Sequence, residues 1–201
     1  FVRLQESSEM TELTELLSSG KYATAVLDTA GGLQDMILKE VCGLDKLPLQ
    51  RSWGMADRSA WMTTGSQWKE RMRAVLDLAD SGLNVVVIAH ERSFVEEGTG
   101  SDVMMPTVGA ALTPTVAAWL NAACDYVCQA YIREGMTVKE TNVAGKKVLS
   151  QVKTGKMEYC LRVGPHPVYM TGFRLPDGMA LPDSIVDPTW EKVSKLIKGD
   201  R

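Results

Sequence analysis

Residues 84–91 read Asn84-Val85-Val86-Val87-Ile88-Ala89-His90-Glu91, an apolar run that ends in two polar residues. The run is rich in β-branched side chains and has no polar interruption, which is typical of strands covered by helices on both faces. Strands of this kind belong to parallel sheets. The segment therefore predicts a central parallel strand with His90 and Glu91 at its carboxyl-terminal tip.

A second strand of the same design lies earlier in the chain, at Thr24-Ala25-Val26-Leu27-Asp28-Thr29. In open α/β sheets, ligands bind outside the carboxyl ends of the strands. We therefore expect Asp28 and His90 to lie on adjacent parallel strands at the same sheet edge. A carboxylate at that position can hold the water shell of Mg²⁺ bound to a nucleotide. The alternative is that Asp28 only caps the following turn.

His90 and Glu91 form the candidate catalytic pair. A histidine at a strand tip can position a water or contact a γ-phosphate, and Glu91 can assist it. The alternative is a surface histidine in a strand-to-loop turn. Two neighbouring strands with polar tips favour a site over that alternative.

The remaining pattern predicts one α/β domain over residues 1–201, with a mostly parallel sheet flanked by helices. Apolar residues at helical spacing and capping residues predict further helices. From about residue 138 the pattern changes to short strands with turns, including a hairpin at Thr154-Gly155-Lys156. Residues 138–201 are therefore expected to form an antiparallel appendix and a final helix. The predicted helices cover residues 9–17, 33–41, 68–79 and 114–124, and a final helix is capped by Asp187-Pro188. A further strand is predicted over residues 126–132.

Two long polar stretches, residues 48–66 and 92–112, are predicted to be loops. The first carries Arg51, Trp53, Arg58 and Trp61, and the second begins with Arg92. Cations mixed with aromatic side chains suit single-stranded nucleic acid, because phosphates are neutralised while bases stack. The alternative is that both loops are plain connections.

The composition limits the classes of protein that this chain can be. Of 201 residues, 45% are hydrophobic and 23% charged, with a net charge of −3, which excludes a mainly disordered chain and a protein that coats nucleic acid by bulk charge. No apolar run approaches the length of a membrane span, so no membrane association is expected. The four cysteines lack C-x-x-C spacing and are interpreted as reduced core thiols of a cytoplasmic protein.

The order of these parts resembles the second half of a RecA-like P-loop ATPase core. It is most similar to phage-type nucleotide-binding proteins, a class that includes single-strand annealing ATPases. The resemblance covers about residues 8–197. It implies that Asp28 is the Walker B acid, with Thr29 beside it at the cofactor, and that His90 is the polar sensor. It also implies that residues 48–66 and 92–112 are the two DNA-facing loops.

The same resemblance implies cofactors, partners and a biological role. ATP and Mg²⁺ are the expected cofactors, and single-stranded DNA is the expected partner. RecA-like ATPases assemble as rings or filaments, so a homo-oligomer is also implied. The role would be phage-type DNA recombination or single-strand annealing, in the cytoplasm of a bacterial host.

One departure from the family pattern is serious. The sequence has no G-x-x-x-x-G-K-[ST] motif, and the superficially similar Ser18-Ser19-Gly20-Lys21-Tyr22 lacks the first glycine. The expectation is that an N-terminal strand and P-loop are missing and that this chain alone is inactive as an ATPase. One alternative is a non-catalytic interaction or assembly module with the same fold. Another is an unrelated α/β hydrolase-like enzyme that uses Asp28, His90 and Glu91, although no G-x-S-x-G elbow is present.

Overall fold

The computed structural model describes residues 2–44, 57–94, 106–143, 146–176 and 178–199. Helices and strands are mixed along these ranges, as expected for an α/β chain. In chain order the elements are α1 (Glu9–Ser18), β1 (Thr24–Asp28), α2 (Ala30–Val41), α3 (Arg58–Leu76), β2 (Asn84–Ile88), β3 (Glu91–Phe94), β4 (Thr107–Ala110), α4 (Pro114–Ala123), β5 (Tyr126–Val127), β6 (Gln129–Val143), β7 (Lys146–Arg162), β8 (Gly172–Phe173), β9 (Ser184–Val186) and α5 (Trp190–Lys198).

The chain divides into two compact units. The first runs as far as Phe94 and includes Val108–Ala123, and the second contains the chain from Cys124 onward. The antiparallel section begins at β5, earlier than the predicted residue 138, because β5 pairs antiparallel with β8. The single domain predicted over residues 1–201 stays a prediction.

In the first unit, β1 and β2 form a parallel pair. Their register runs from Thr24 opposite Asn84 to Asp28 opposite Ile88. The predicted adjacency of the two apolar strands is therefore confirmed. Because the strands are parallel, both carboxyl ends lie at the same edge.

The core of the first unit is built between its helices. The edge of the Trp68 ring on α3 meets Trp119 on α4, with the ring centroids 6.1 Å apart. Gly65 of α3 also faces α4, since a Cβ there would lie 3.4 Å from a methyl carbon of Val116, an ordinary van der Waals contact. The helical stripes predicted from spacing supply most of the buried side chains: Met10, Leu17, Leu33, Ile37, Trp68, Met72, Val75, Ala117 and Leu120. Leu38 and Val116 are also buried, although the predicted stripes did not include them.

The expectation that helices cover both faces of the parallel strands is wrong in the described part of the chain. Exposure alternates along β1 and β2. Val26, Val86 and Ile88 are 58%, 38% and 43% exposed. We call these three side chains the bare sheet face. A β-branched run specifies a strand, but it does not specify what lies against each of its faces.

The parallel sheet is also smaller than expected. The described strands form four separate sheets, β1–β2, β3–β4, β5–β8 and β6–β7–β9. The pairings in the second unit are antiparallel. The prediction of a mostly parallel sheet is thus confirmed only for the pair β1–β2.

Both predicted loops contain regular structure. Helix α3 begins at Arg58, inside the predicted loop 48–66, because the side chain of Asp57 accepts a hydrogen bond from the Ala60 N–H (2.7 Å) and caps the helix. Strands β3 and β4 occupy both ends of the predicted loop 92–112.

The predicted start of the last helix is wrong by a few residues. Helix α5 begins at Trp190, and its N-cap is Thr189 rather than Asp187-Pro188. The Thr189 side chain accepts a hydrogen bond from the Lys192 N–H.

The predicted hairpin at Thr154-Gly155-Lys156 is wrong, because β7 continues through these residues. Glu134 lies opposite Met157 and Met136 lies opposite Lys153, so three residues of β7 face Gly135 alone. Gly155 has φ +72°, a conformation that favours glycine. The glycine therefore marks a bulge rather than a turn.

The cysteine prediction is only partly right. All four cysteines are free, but only Cys160 is buried, and Cys128 is exposed. In the described part of the chain, no helix combines the length and the apolar character that a bilayer crossing requires.

Candidate functional site

The carboxyl edge of β1–β2 brings together two of the predicted site residues. Asp28 ends β1 opposite Ile88, and His90 follows two residues after Ile88. Both side chains are exposed. The peptide bond between Asp28 and Thr29 is cis. An acid and an imidazole are therefore presented to solvent from neighbouring strand ends.

Three chain segments converge at Ala111 beside this edge. The Ala111 N–H donates to the His90 carbonyl oxygen at 2.7 Å. A Cβ on Gly31, in the first turn of α2, would lie 3.6 Å from the Ala111 carbonyl oxygen. The segment after β2, the start of α2 and the segment before α4 thus meet at one point.

Two buried polar contacts hold the start of α2 in place. Gln34 is 6% exposed, and its Oε1 accepts hydrogen bonds from the Thr113 N–H at 3.0 Å and the Thr113 hydroxyl at 3.3 Å. The Trp68 indole N–H donates to the Ala30 carbonyl at 3.2 Å. Because buried polar groups are costly to leave unpaired, these contacts fix α2 against α3 and α4.

The turn after β1 is capped by Thr29 rather than by Asp28. The Thr29 hydroxyl oxygen accepts a hydrogen bond from the Gly32 N–H at 3.1 Å and is the N-cap of α2. The structure thereby gives Thr29 a structural contact. The Asp28 carboxylate makes no hydrogen bond or ion pair to the described residues, so the capping alternative for Asp28 is wrong.

The chemistry of the edge fits the metal side of a Mg-nucleotide. Mg²⁺ keeps several waters and is commonly held by one or two carboxylates together with substrate phosphates. The unengaged carboxylate of Asp28 meets that requirement. Among the described residues no group of three or more His, Cys, Asp or Glu side chains could form a metal cage. The residues present do not supply a binding site for the phosphates of the nucleotide, because the sequence contains no P-loop motif.

The other predicted site residues are spread over several elements. Glu91 and Arg92 are exposed on β3, and the Arg92 guanidinium lies 5.7 Å from the Phe94 ring centroid. Arg58 is the exposed first residue of α3. Arg51 and Trp53 lie outside the described residues.

Sequence reasoning missed Gln34, which links α2 to the segment before α4. A signal was present, because Gln34 is a polar residue beside Leu33 on the apolar stripe of α2. Its neighbour Asp35 is half-buried, and this burial raises the pKa of the Asp35 carboxyl. Asp35 lies on α2, which begins beside the strand edge, but it makes no hydrogen bond or ion pair to Asp28 or His90.

A surface cavity of about 480 Å³ lies elsewhere, along α3 and its C-terminal end. It is lined by Ser66, Lys69, Glu70, Arg73, Ala74 and Asp77. None of the predicted site residues belongs to it.

Comparison with protein-family models gives a match over most of the chain. A family model described as an AAA domain matches residues 6–174, which include β1, β2 and the helices of the first unit. No curated protein and no solved structure matches the chain.

Proposed function

The chain belongs to the AAA-domain family, and on that premise we propose that it acts in phage-type DNA recombination or single-strand annealing as the nucleotide-binding part of an ATP-dependent protein. Membership in this family indicates a P-loop NTPase-type α/β domain with an ATPase-like, nucleotide-binding function. ATP and Mg²⁺ are the general cofactors of such domains.

The observation that carries the proposal is the Asp28 carboxylate, which has no hydrogen bond or ion pair to the described residues, at the edge it shares with His90. Bound Mg-ATP would supply the phosphoryl group that is transferred to water. Asp28 would accept hydrogen bonds from the water shell of the metal. His90 would orient a water toward the γ-phosphate, with Glu91 beside it. Thr29, as the N-cap of α2, would hold the start of that helix beside the strand edge.

The proposal requires a phosphate-binding loop from outside residues 1–201. The bare sheet face supports this requirement, because apolar side chains on a strand are normally covered by another layer. A strand–loop–helix segment that packs there would carry the loop to the edge. In this proposal the 201-residue chain alone hydrolyses no ATP.

We propose single-stranded DNA as the partner, in contact with Arg51, Trp53, Arg58 and Arg92. The support is the mixture of cations and an aromatic residue ahead of α3, together with the exposure of Arg58 and Arg92. Self-association, with the nucleotide between subunits, belongs to the same proposal.

The nucleotide proposal is tested with Asp28→Asn in the complete gene product. The substitution keeps the size of the side chain and removes its charge, so Mg-dependent ATP turnover should fall by at least about tenfold. The melting temperature should stay unchanged, because the carboxylate has no partner among the described residues. Asp80→Asn, at an exposed acid in the turn after α3, is the control and should leave turnover intact. Unchanged turnover in Asp28→Asn would contradict the proposal.

The DNA proposal is tested by fluorescence anisotropy of a labelled oligonucleotide over a series of salt concentrations. Arg58→Ala should lower the slope of log affinity against log salt by about 0.7, the value for one phosphate contact on a single strand. Trp53→Ala should weaken binding at every salt concentration, since stacking is not screened. Arg73→Ala is the control on the same helix, because Arg73 packs over the Trp119 ring. If Arg58→Ala and Arg73→Ala behave alike, Arg58 does not contact DNA.

A second candidate is a non-catalytic interaction or assembly module with this fold. The absence of a P-loop motif from residues 1–201 favours it. The coding sequence upstream of Phe1 distinguishes the two candidates. A G-x-x-x-x-G-K-[ST] after an apolar strand supports the ATPase, and an in-frame start codon next to Phe1 supports the module.

A further inference from the structure

Strands β6 and β7 form a long antiparallel ribbon in the second unit. β9 pairs with β7 only over Cys160–Arg162. Among the described residues, the rest of the ribbon consequently has two strands and no third. Two-stranded ribbons are marginally stable in water unless one face is packed against another layer.

One face of this ribbon carries a row of exposed apolar side chains. The register places its even-numbered β6 residues opposite odd-numbered β7 residues, with Ile132 across from Tyr159, Val138 across from Gln151, and Glu140 across from Leu149. Side chains that are cross-strand partners lie on the same face. Six apolar side chains share it, each 53–69% exposed, and together we call them the ribbon face: Ile132, Met136, Val138, Leu149, Met157 and Tyr159.

The charges on the ribbon face are already neutralised. Lys153 lies 2.9 Å from Glu134, and Lys147 lies 2.7 Å from Glu140. These four residues share the face with the apolar side chains. A partner therefore meets apolar side chains beside acids and bases that already form ion pairs with each other. A net charge on the partner would not strengthen its binding to this face.

The second unit buries little apolar surface of its own. In its described residues, the buried hydrophobic side chains are Cys160 and Val163. The ribbon face exposes more large apolar side chains than this unit buries. A layered fold normally covers such a face with a further layer.

We propose that the ribbon face packs against the same face of a second copy of this chain, as a two-fold sandwich of two ribbons. Six half-exposed side chains offer roughly 600 Å² of apolar area, at the upper limit of what monomers expose. With their polar rim they approach the about 800 Å² per partner of a standard interface. Ribbons stacked face to face would lie about 10 Å apart.

A second copy fits this face better than an unrelated chain. An isologous contact needs a surface complementary to itself. The ribbon face meets this condition because apolar side chains recur along its length and the polar residues among them include equal numbers of acids and bases. A two-fold axis can then bring the Glu134–Lys153 pair of one copy near the corresponding pair of the other in opposite order.

The test is sedimentation equilibrium of the 201-residue chain without nucleotide, so that its outcome is independent of ATP binding. The wild-type chain should dimerise. Val138→Lys should weaken the dimer by at least about tenfold, because it buries a charge at the interface. Thr137→Lys is the matched control, with the same charge one residue away on the opposite face, and should leave the dimer intact.

A second variant keeps the proposal falsifiable if Val138→Lys misfolds. Leu149→Lys places an ammonium opposite Glu140, a favourable cross-strand pair, so the ribbon itself should be preserved in circular dichroism. It should nevertheless dissociate the dimer. A monomeric wild-type chain, or equal dissociation constants for Val138→Lys and Thr137→Lys, would overturn the proposal. A monomer that binds oligonucleotide through the ribbon would overturn it as well.

Discussion

At the scale of single residues, the candidate site depends on which side chain has a partner. Thr29 caps α2 and Gln34 accepts from Thr113, whereas the Asp28 carboxylate makes no hydrogen bond or ion pair to the described residues. The sequence placed Asp28 correctly at a strand end. It did not identify the Gln34–Thr113 hydrogen bonds, because they join positions 79 residues apart. Periodicity within one helix carries no information about such a contact.

Asp57 gives a residue-scale prediction with a pH dependence. Hydrogen bonds from the Ala60 N–H and the Ser59 hydroxyl lower the pKa of the Asp57 carboxyl below its ordinary 3.8. Because the folded value is the lower one, the stabilisation is present above pH 3.8 and is lost as the pH falls through the folded value. Asp57→Ala should therefore lower the melting temperature at neutral pH and have less effect in acid.

Asp57→Asn is the control for this prediction. Asparagine keeps the capping oxygen and has no carboxyl to titrate, so its melting temperature should stay near that of the wild type at neutral pH. The measurement is thermal unfolding followed by circular dichroism, from neutral pH to below 3.8. An Asp57→Ala deficit that persists unchanged in acid would show that the ionised cap is not its cause.

At the scale of elements, the local sequence pattern predicted whether a segment is a helix or a strand better than it predicted where that element begins and ends. The strands β1 and β2 and the helices α1, α2 and α4 follow from apolar spacing and caps. The first turns of α3 were missed because Gly65 and the polar residues around it suggest a loop. That glycine is instead a buried residue inside α3, on the side that faces Val116 of α4. Gly155 was likewise interpreted as a turn, although it forms a bulge inside β7.

The coverage of each strand could not be predicted from its own residues. The β-branched run 85–88 suits a strand buried on both faces, yet Val86 and Ile88 are exposed. Which residues cover a strand face is decided by parts of the protein that are distant from that strand in sequence. The same holds for the ribbon face, whose alternation is visible only after the register of β6 and β7 is known.

At the scale of the whole molecule, the family match and the strand-end geometry support the same function. The AAA-domain match covers residues 6–174, and the parallel strands with Asp28 and His90 lie inside that range. The match supports nucleotide binding but does not identify the residues that bind. The geometry identifies candidate residues but not the ligand. Joining the two, we propose that the metal of a bound Mg-nucleotide lies at the carboxyl edge of β1–β2.

The most direct test of this claim is paramagnetic relaxation in nuclear magnetic resonance spectra of the complete gene product, with Mn²⁺-ATP in place of Mg²⁺-ATP. Mn²⁺ broadens the amide signals nearest to it. We predict the strongest broadening at residues 28–30 and 89–91, at the ends of β1 and β2, and its loss in Asp28→Asn. Broadening centred on the second unit, or broadening at residues 28–30 that survives in Asp28→Asn, would contradict the account.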